Sequence, residues 1–442
     1  MIYANEEINE DVQILYELLS IYETTDLLAV QDVDRERLLS YERVIVFNSS
    51  SAQMPAKAVQ ALNDFRGVAI AIGNSALQLA PFAEWHIGEE TTLLKIGDKI
   101  LNNPLSWQIV QPSDDAEIVQ TSASFSQKYP FVVEMPKSNW SYIALFAKEL
   151  VYEWPSLISQ LLQLHPPSNH EAFIVLSDIN MKTNVEHLEK LVTILKQYEV
   201  PIVLEIAPFY EENGELLHLE NNKPLIKYLQ ILQRNEASFV LAPPPAEAVE
   251  KSLDYLVQNR IYPTLLNGNS PIFSHLVQMR PLHIYRSIHT RQHIFPYTVQ
   301  TAIDAGDNPL YRMEQTITQL LRTPGAIISF QYPSYADATH LVNLIKLVQR
   351  PNVQWLDFQA LDSIVQAENV VIEQTVEGKL NVQLSFSIFE RLRMYFDHSP
   401  FEFGLWILVI TVALFVLLFF MNTLRLRMTL RKRLFEERKS NG

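Results

Sequence analysis

Phe403 to Leu424, FGLWILVITVALFVLLFFMNTL, is a run of 22 residues without a charge. A helix of that length rises about 33 Å, enough to cross the ~30 Å hydrocarbon core of a bilayer. Because the run is apolar on every side and bounded by charge, it reads as a membrane span and not as the core helix of a soluble domain. The tail after it, RLRMTLRKRLFEERKSNG, holds seven basic and two acidic residues. That net +5, set against −15 for the whole chain, leaves −20 on everything before it. The positive-inside rule places residues 425–442 in the cytoplasm and the large acidic portion outside, as a single-pass cell-membrane protein. Ile2 and Ala4 fill the −3 and −1 positions of a cleavage site, so an export signal upstream of Met1 is expected. The alternative is a tail-anchored protein facing the cytoplasm. The basic tail also makes the lipid bilayer the first expected partner.

The remaining chain is long enough for two α/β domains. With no cysteine, disulfides, thiolate metal sites and cysteine nucleophiles are excluded. In residues 1–165, RVIVFN and GVAIAIGN read as buried strands around the helix PAKAVQALNDF, which predicts a flavodoxin- or amidotransferase-like parallel sheet. TTLLKIGDKIL, AEIVQTSASF and YPFVVEM add an antiparallel extension. Residues 140–170 read as helical up to a Pro-Pro linker. Residues 166–365 repeat strand and helix about seven times, which predicts a closed or nearly closed (β/α)7-type barrel. Residues 366–402 form a hairpin with a Glu-Gly turn and a linker to the span at 403–424.

The order of features in the second domain resembles the NodB-type polysaccharide deacetylases. A first strand ends near an Asp (IVLSDIN), a second exits through a proline (PIVLEIAPFY), FPY follows at 295–297, and a late strand ends ISFQYP. The resemblance implies an Asp-Asp pair at the first strand end, a His-x-x-x-His metal site at the third, and a His before the late proline. In this sequence Ser177 and Asp178, then Ala242 and Ala246 around Pro243–Pro245, and then Tyr332 stand there. Catalytic machinery, a metal and any other cofactor are therefore not expected, since a lone carboxylate does not make a zinc site. The resemblance further implies a membrane-associated pseudoenzyme that binds carbohydrate, in bacterial exopolysaccharide or biofilm assembly such as a Pel-type system. Polysaccharide and membrane synthase or exporter subunits are its expected partners. The alternative is an active metal-dependent deacetylase with a rebuilt site, using Asp178 with Glu205, His289 or His293.

Function in such barrels sits at the strand C-termini. The candidate ligand-binding residues are Asp178, Glu205, Tyr210, Tyr262, Asn267, Arg286, Tyr297, Gln331 and Tyr332, the aromatic ones as stacking surfaces for sugar rings. Ser75 follows a strand as in a nucleophile elbow, but Leu77 breaks the pattern. An ordinary turn, with Asn74 or Ser75 capping the next helix, is expected. The acidic balance and the lack of phosphate-cradling glycine motifs exclude nucleic acid and nucleotide partners.

Overall fold

Arg43–Phe47 and Val68–Ile72 are buried at four of their five positions each, so both faces of these strands need cover. Parallel sheets flanked by helices provide it. The computed structural model describes the chain except residues 4–7, 20–21, 23, 48–52, 126, 166, 235–236, 243–248, 268–276, 282–286, 290–291, 298–309, 388–399 and 441–442. At 17, 277–281, 287–289, 292–297, 400, 402 and 430–440 it describes the backbone alone.

The first sheet contains β1 (Ile2–Tyr3), β2 (Leu28–Ala29), β3 (Arg43–Phe47), β4 (Val68–Ile72), β5 (His86–Ile96), β6 (Lys99–Gln111), β7 (Glu117–Ala123), β8 (Lys128–Met135) and β9 (Trp140–Ile143). Its order is β2-β1-β3-β4-β9-β8-β7-β5-β6. The strands from β2 to β9 are parallel. The rest pair antiparallel, as the extension predicts. Helices α1 (Glu10–Leu19), α2 (Arg35–Leu38), α3 (Ala56–Asp64) and α4 (Trp154–Leu161) accompany this half. One expectation is corrected: the stretch from 140 opens with a strand. Trp140–Ile143 is buried at all four positions and completes the parallel part of the sheet against β4.

The second sheet starts with β10 (His170–Ile179) and β11 (Ile202–Ile206). A small hairpin follows, β12 (Phe209–Glu212) and β13 (Glu215–His218). Then come β14 (Ala237–Leu241), β15 (Leu265–Asn267), β16 (Val277–Pro281), β17 (Ser287–His289), β18 (Gln292–Tyr297), β19 (Ile328–Pro333) and β20 (Val353–Trp355). The path runs β17-β18-β16-β15-β14-β11-β10-β19, with β20 on the base of β10. Helices α5 (Val185–Gln197), α6 (Lys223–Arg234), α7 (Val249–Gln258), α8 (Tyr311–Leu320) and α9 (Ala338–Val348) punctuate it. Among the described residues this is a half-barrel, more open than the closed or nearly closed barrel expected. β19 and β17 each have one strand neighbour, and β20 turns back to β10 instead of bridging the gap. Between β15 and β19 the described elements before α8 are strands, with an antiparallel β17–β18 turn-back where a β/α repeat was expected.

Alternation along each strand sorts the side chains into faces. Phe173, Val175, Val203, Val240 and Leu265 fill the concave face with Ile327 and Phe358. The Phe173 and Phe358 rings meet edge-on at 5.1 Å. Residues two further along the same strands, namely Ser177, Glu205 and Asn267, lie on that face one layer nearer the strand C-termini. The apolar layers are thus the floor of a polar mouth.

β21 (Ser363–Gln366), β22 (Val370–Gln374) and β23 (Leu380–Leu384) make a three-stranded sheet. Gly378, at φ +73°, supplies the left-handed residue of the β22–β23 turn, as the Glu-Gly reading predicts. Residues Gln383–Gly442 form a separate unit, whose α10 (Pro400–Ser440) contains one apolar stretch, Phe403–Thr429, long enough to cross a membrane. At about 60 Å for its 41 residues, α10 is longer than a bilayer core and carries on as helix beyond it.

Candidate functional site

Asp178 sits at the exit of β10 with φ +59°, a left-handed backbone that Asp tolerates better than most residues. Its carbonyl oxygen is held by three donors: Asn180 Nδ2 at 3.1 Å, Ser334 Oγ at 3.2 Å and Thr183 Oγ1 at 3.4 Å. Ser334 N also donates to Ser177 O at 2.8 Å, which ties the exits of β10 and β19 together. The strained turn is therefore fixed from both sides. Ser177 Oγ donates to Asp178 Oδ2 at 3.3 Å.

The β10–α5 loop folds on its own polar side chains. Asn180 Oδ1 accepts from Lys182 N, Thr183 Oγ1 accepts from Asn180 N, and Asn184 caps α5 by accepting from His187 N at 3.1 Å. His187 Nε2 lies 2.8 Å from the Ala336 carbonyl oxygen. As the donor in that bond, Nε2 leaves Nδ1 to accept. The β12–β13 hairpin turns at Asn213 (φ +53°) and Gly214 (φ +82°), the left-handed pair that a two-residue hairpin needs. It brings Tyr210 over this loop, with the Lys182 ammonium 5.5 Å from the ring centre. Lys182 also pairs with Glu212, and that bond holds its pKa above the usual range.

These elements enclose a cleft of about 590 Å³ at the strand C-termini, with Asp178, Lys182, His187, Tyr210, Ser334 and Tyr335 among its walls. Tyr335 is 73% exposed. Its phenol is raised by partial burial and then by the charge of Asp178.

Behind the cleft lies Glu205, 5% exposed. Its Oε1 accepts from Asn267 Nδ2 at 2.9 Å and its Oε2 from Gln331 Nε2 at 2.7 Å. Burial raises its pKa, the two amide donors work against that, and the charge of Asp178 adds to it.

Five candidates from the sequence therefore gather at the mouth: Asp178, Glu205, Tyr210, Asn267 and Gln331. Two others do not. Tyr332 follows Gln331 and so falls on the opposite face, fully buried, its hydroxyl bonded to the Asp337 carbonyl oxygen. Tyr262 precedes β15 and lies at the N-terminal end of the sheet, where its N–H donates to Gln233 Oε1 at 2.8 Å. Ala242 follows β14, its N–H on Ile206 O at 3.0 Å. Ala246 and Arg286 lie outside the described residues, and Tyr297 is described only as the last backbone position of β18. His293 pairs with Ile288 and His289 with Gln292, so the two histidines are not cross-strand partners. Asn180, Lys182, His187 and Ser334 were not anticipated. The Asn-Gly dipeptide at 213–214 and the cap residue Asn184 were the signals available for the hairpin and the loop.

In the first sheet, Ser75 is buried on a short 3-10 turn after Gly73, and its hydroxyl has no partner among the described residues. Neither Asn74 nor Ser75 caps that turn, contrary to expectation. Gly73 occupies the cap at φ +95°, and Asn74 Oδ1 instead accepts from the Tyr142 hydroxyl at 2.8 Å.

The metal implied by the deacetylase resemblance needs at least three nitrogen or oxygen ligands around one point. Among the described residues no such group of His, Asp and Glu converges, so those residues do not fit it; the side chains of His289 and His293 lie outside the described ones.

No family model matches the chain. It is 21% identical to the uncharacterized protein YdaL of Bacillus subtilis (strain 168), over all of this chain and 95% of that protein. Among solved structures, a peptidoglycan N-acetylglucosamine deacetylase aligns with 44% of this chain and 89% of its own, at 13% identity and a TM-score of 0.28. A GMP synthase-type protein from Thermoplasma acidophilum aligns with 37% and 92% respectively, at 11% identity and a TM-score of 0.27.

Proposed function

We propose that this is a membrane-anchored, polysaccharide deacetylase-like protein that holds a glycan without turning it over. It would serve as a glycan-binding or scaffold component in the assembly or export of an exopolysaccharide or cell-surface polysaccharide, such as one of the Pel type. Its large acidic part would face outward, beside synthase or exporter subunits in the same membrane. The observation that carries this reading is the cleft at the strand C-termini. Tyr210 and Tyr335 offer ring faces there, beside a carboxylate, an imidazole and a hydroxyl. Sugar rings ask for that combination, since their C–H faces pack on aromatic rings while their hydroxyls need paired donors and acceptors. Holding without turnover is supported by the groups at the deacetylase positions: Ser177 spends its proton on Asp178, and Ala242 offers only a methyl group.

One observation favours a second reading, an active hydrolase. Burial, and then the charge of Asp178, raise the pKa of Glu205, and a buried carboxyl group raised in this way beside a second carboxyl can serve as a general acid. The test uses the full chain in lipid nanodiscs with an N-acetylglucosamine hexamer. Saturable binding without acetate release is expected. Acetate release with a stoichiometric bound metal would establish the second reading instead.

A further inference from the structure

Three strands each send one side chain to the same point at the mouth of the half-barrel. Glu205 from β11 accepts from Asn267 at the end of β15 and from Gln331 on β19. One layer below, the same face is filled by Val203, Leu265 and Val175. A further apolar layer would be cheaper, because every polar group taken from water must be repaid in hydrogen bonds.

The geometry of the three groups shows what they can offer in return. An Asn or Gln amide has two ends, one donating and one accepting, and either end could face the mouth. A carboxylate only accepts. By taking an N–H from both amides, Glu205 removes the choice: Asn267 Oδ1 and Gln331 Oε1 both turn away from it. Among the described residues neither oxygen has a hydrogen-bond partner, and neither is among the polar atoms sealed from solvent. Both residues are partly exposed.

We propose that Glu205 is a positioning residue that locks the Asn267 and Gln331 amides with their carbonyl oxygens outward, as a paired acceptor for two hydrogen-bond donors on one sugar ring. This rests on the glycan reading above and narrows it: the mouth selects ligands that present free hydroxyl or N–H groups. Glu205→Gln tests the assignment. Glutamine keeps the shape but must donate at one end, so one partner amide turns over and shows an N–H where an oxygen had been.

Full-length protein in nanodiscs is titrated with the N-acetylglucosamine hexamer and with the same hexamer O-methylated, which lacks the hydroxyl donors. The unsubstituted chain is expected to prefer the free hexamer by roughly tenfold or more, the scale of a lost hydrogen bond in a desolvated site. Glu205→Gln is expected to shrink that preference, weakening the free hexamer more than the methylated one. Gln331→Met removes one of the two oxygens and leaves the Glu205–Asn267 bond, so it should shrink the preference too. It decides the question alone if Glu205→Gln does not fold. A role in stability only would weaken both ligands equally, and that result, or an undiminished preference in the variants, overturns the assignment while the glycan reading stands. If the unsubstituted chain binds neither hexamer, the glycan reading fails and the positioning role falls with it.

Discussion

The two sheets use one plan to opposite ends. In both, apolar strands run parallel and deliver their C-termini to a common edge. In the first, the exit of β4 is closed. Asn74 is spent on the buried Tyr142 hydroxyl, and Phe82, Trp85 and Trp140 pack edge-on around that region. In the second, the exits of β10, β11, β15 and β19 carry Asp178, Glu205, Asn267 and Gln331, and a cleft opens beside them. Strand ends become a site only where polar groups remain that the protein itself has not consumed. At the exit of β4, Asn74 is consumed and Ser75 is sealed from solvent.

The sharpest way to break this contrast is to remove the support under the polar mouth. Phe173→Ala deletes a ring packed on Phe358 in the concave core and should cost about 3–5 kcal/mol, read by chemical denaturation. Asn74→Ala leaves the Tyr142 hydroxyl without its acceptor and should cost about 1–3 kcal/mol, yet leave glycan affinity unchanged in a binding titration. A loss of affinity there would mean that the first sheet takes part in binding. Tyr335→Ala should reverse the pattern. Stability should move by less than about 0.5 kcal/mol, because the side chain is 73% exposed, while affinity falls severalfold.

The smallest effect concerns pH. The pKa of Glu205 in the folded chain lies above its ordinary 4.5, so only between that pH and the raised value does the folded state keep a proton that the unfolded chain has released; above it Glu205 is the carboxylate that accepts from both amides. Its stabilising share is complete below about pH 4.5 and is lost as pH rises through the raised value. The melting temperature of Glu205→Gln should therefore gain on that of the unsubstituted chain as pH rises from 4.5 toward neutrality.

Much of the frame was legible because continuous apolar runs such as Arg43–Phe47, Ile202–Ile206 and Ala237–Leu241 can only be buried strands when glycine, proline and polar turns bound them. The apolar part of α10 was legible for the same reason on a longer scale. Trp140–Ile143 was missed because an aromatic, fully buried strand of four residues has no period of its own and merges with the helix pattern after it. Within the site, Glu205, Asn267 and Gln331 could be named from strand ends, but their meeting depends on register between strands that are distant in sequence. Tyr332 shows the converse limit. A strand buried on both faces gives no alternation from which to tell which of two neighbours faces the mouth. Lys182 and His187 sit in a loop and a first helical turn, where no hydrophobic period points to them.

Hydrogen exchange on the full chain in nanodiscs, with and without the N-acetylglucosamine hexamer, sets the two sheets directly against each other. Protection is expected at 178–187, 209–212 and 331–336, with none gained at 73–78. Protection at the first sheet's strand ends, or at neither sheet with the hexamer at saturating concentration, would contradict the account.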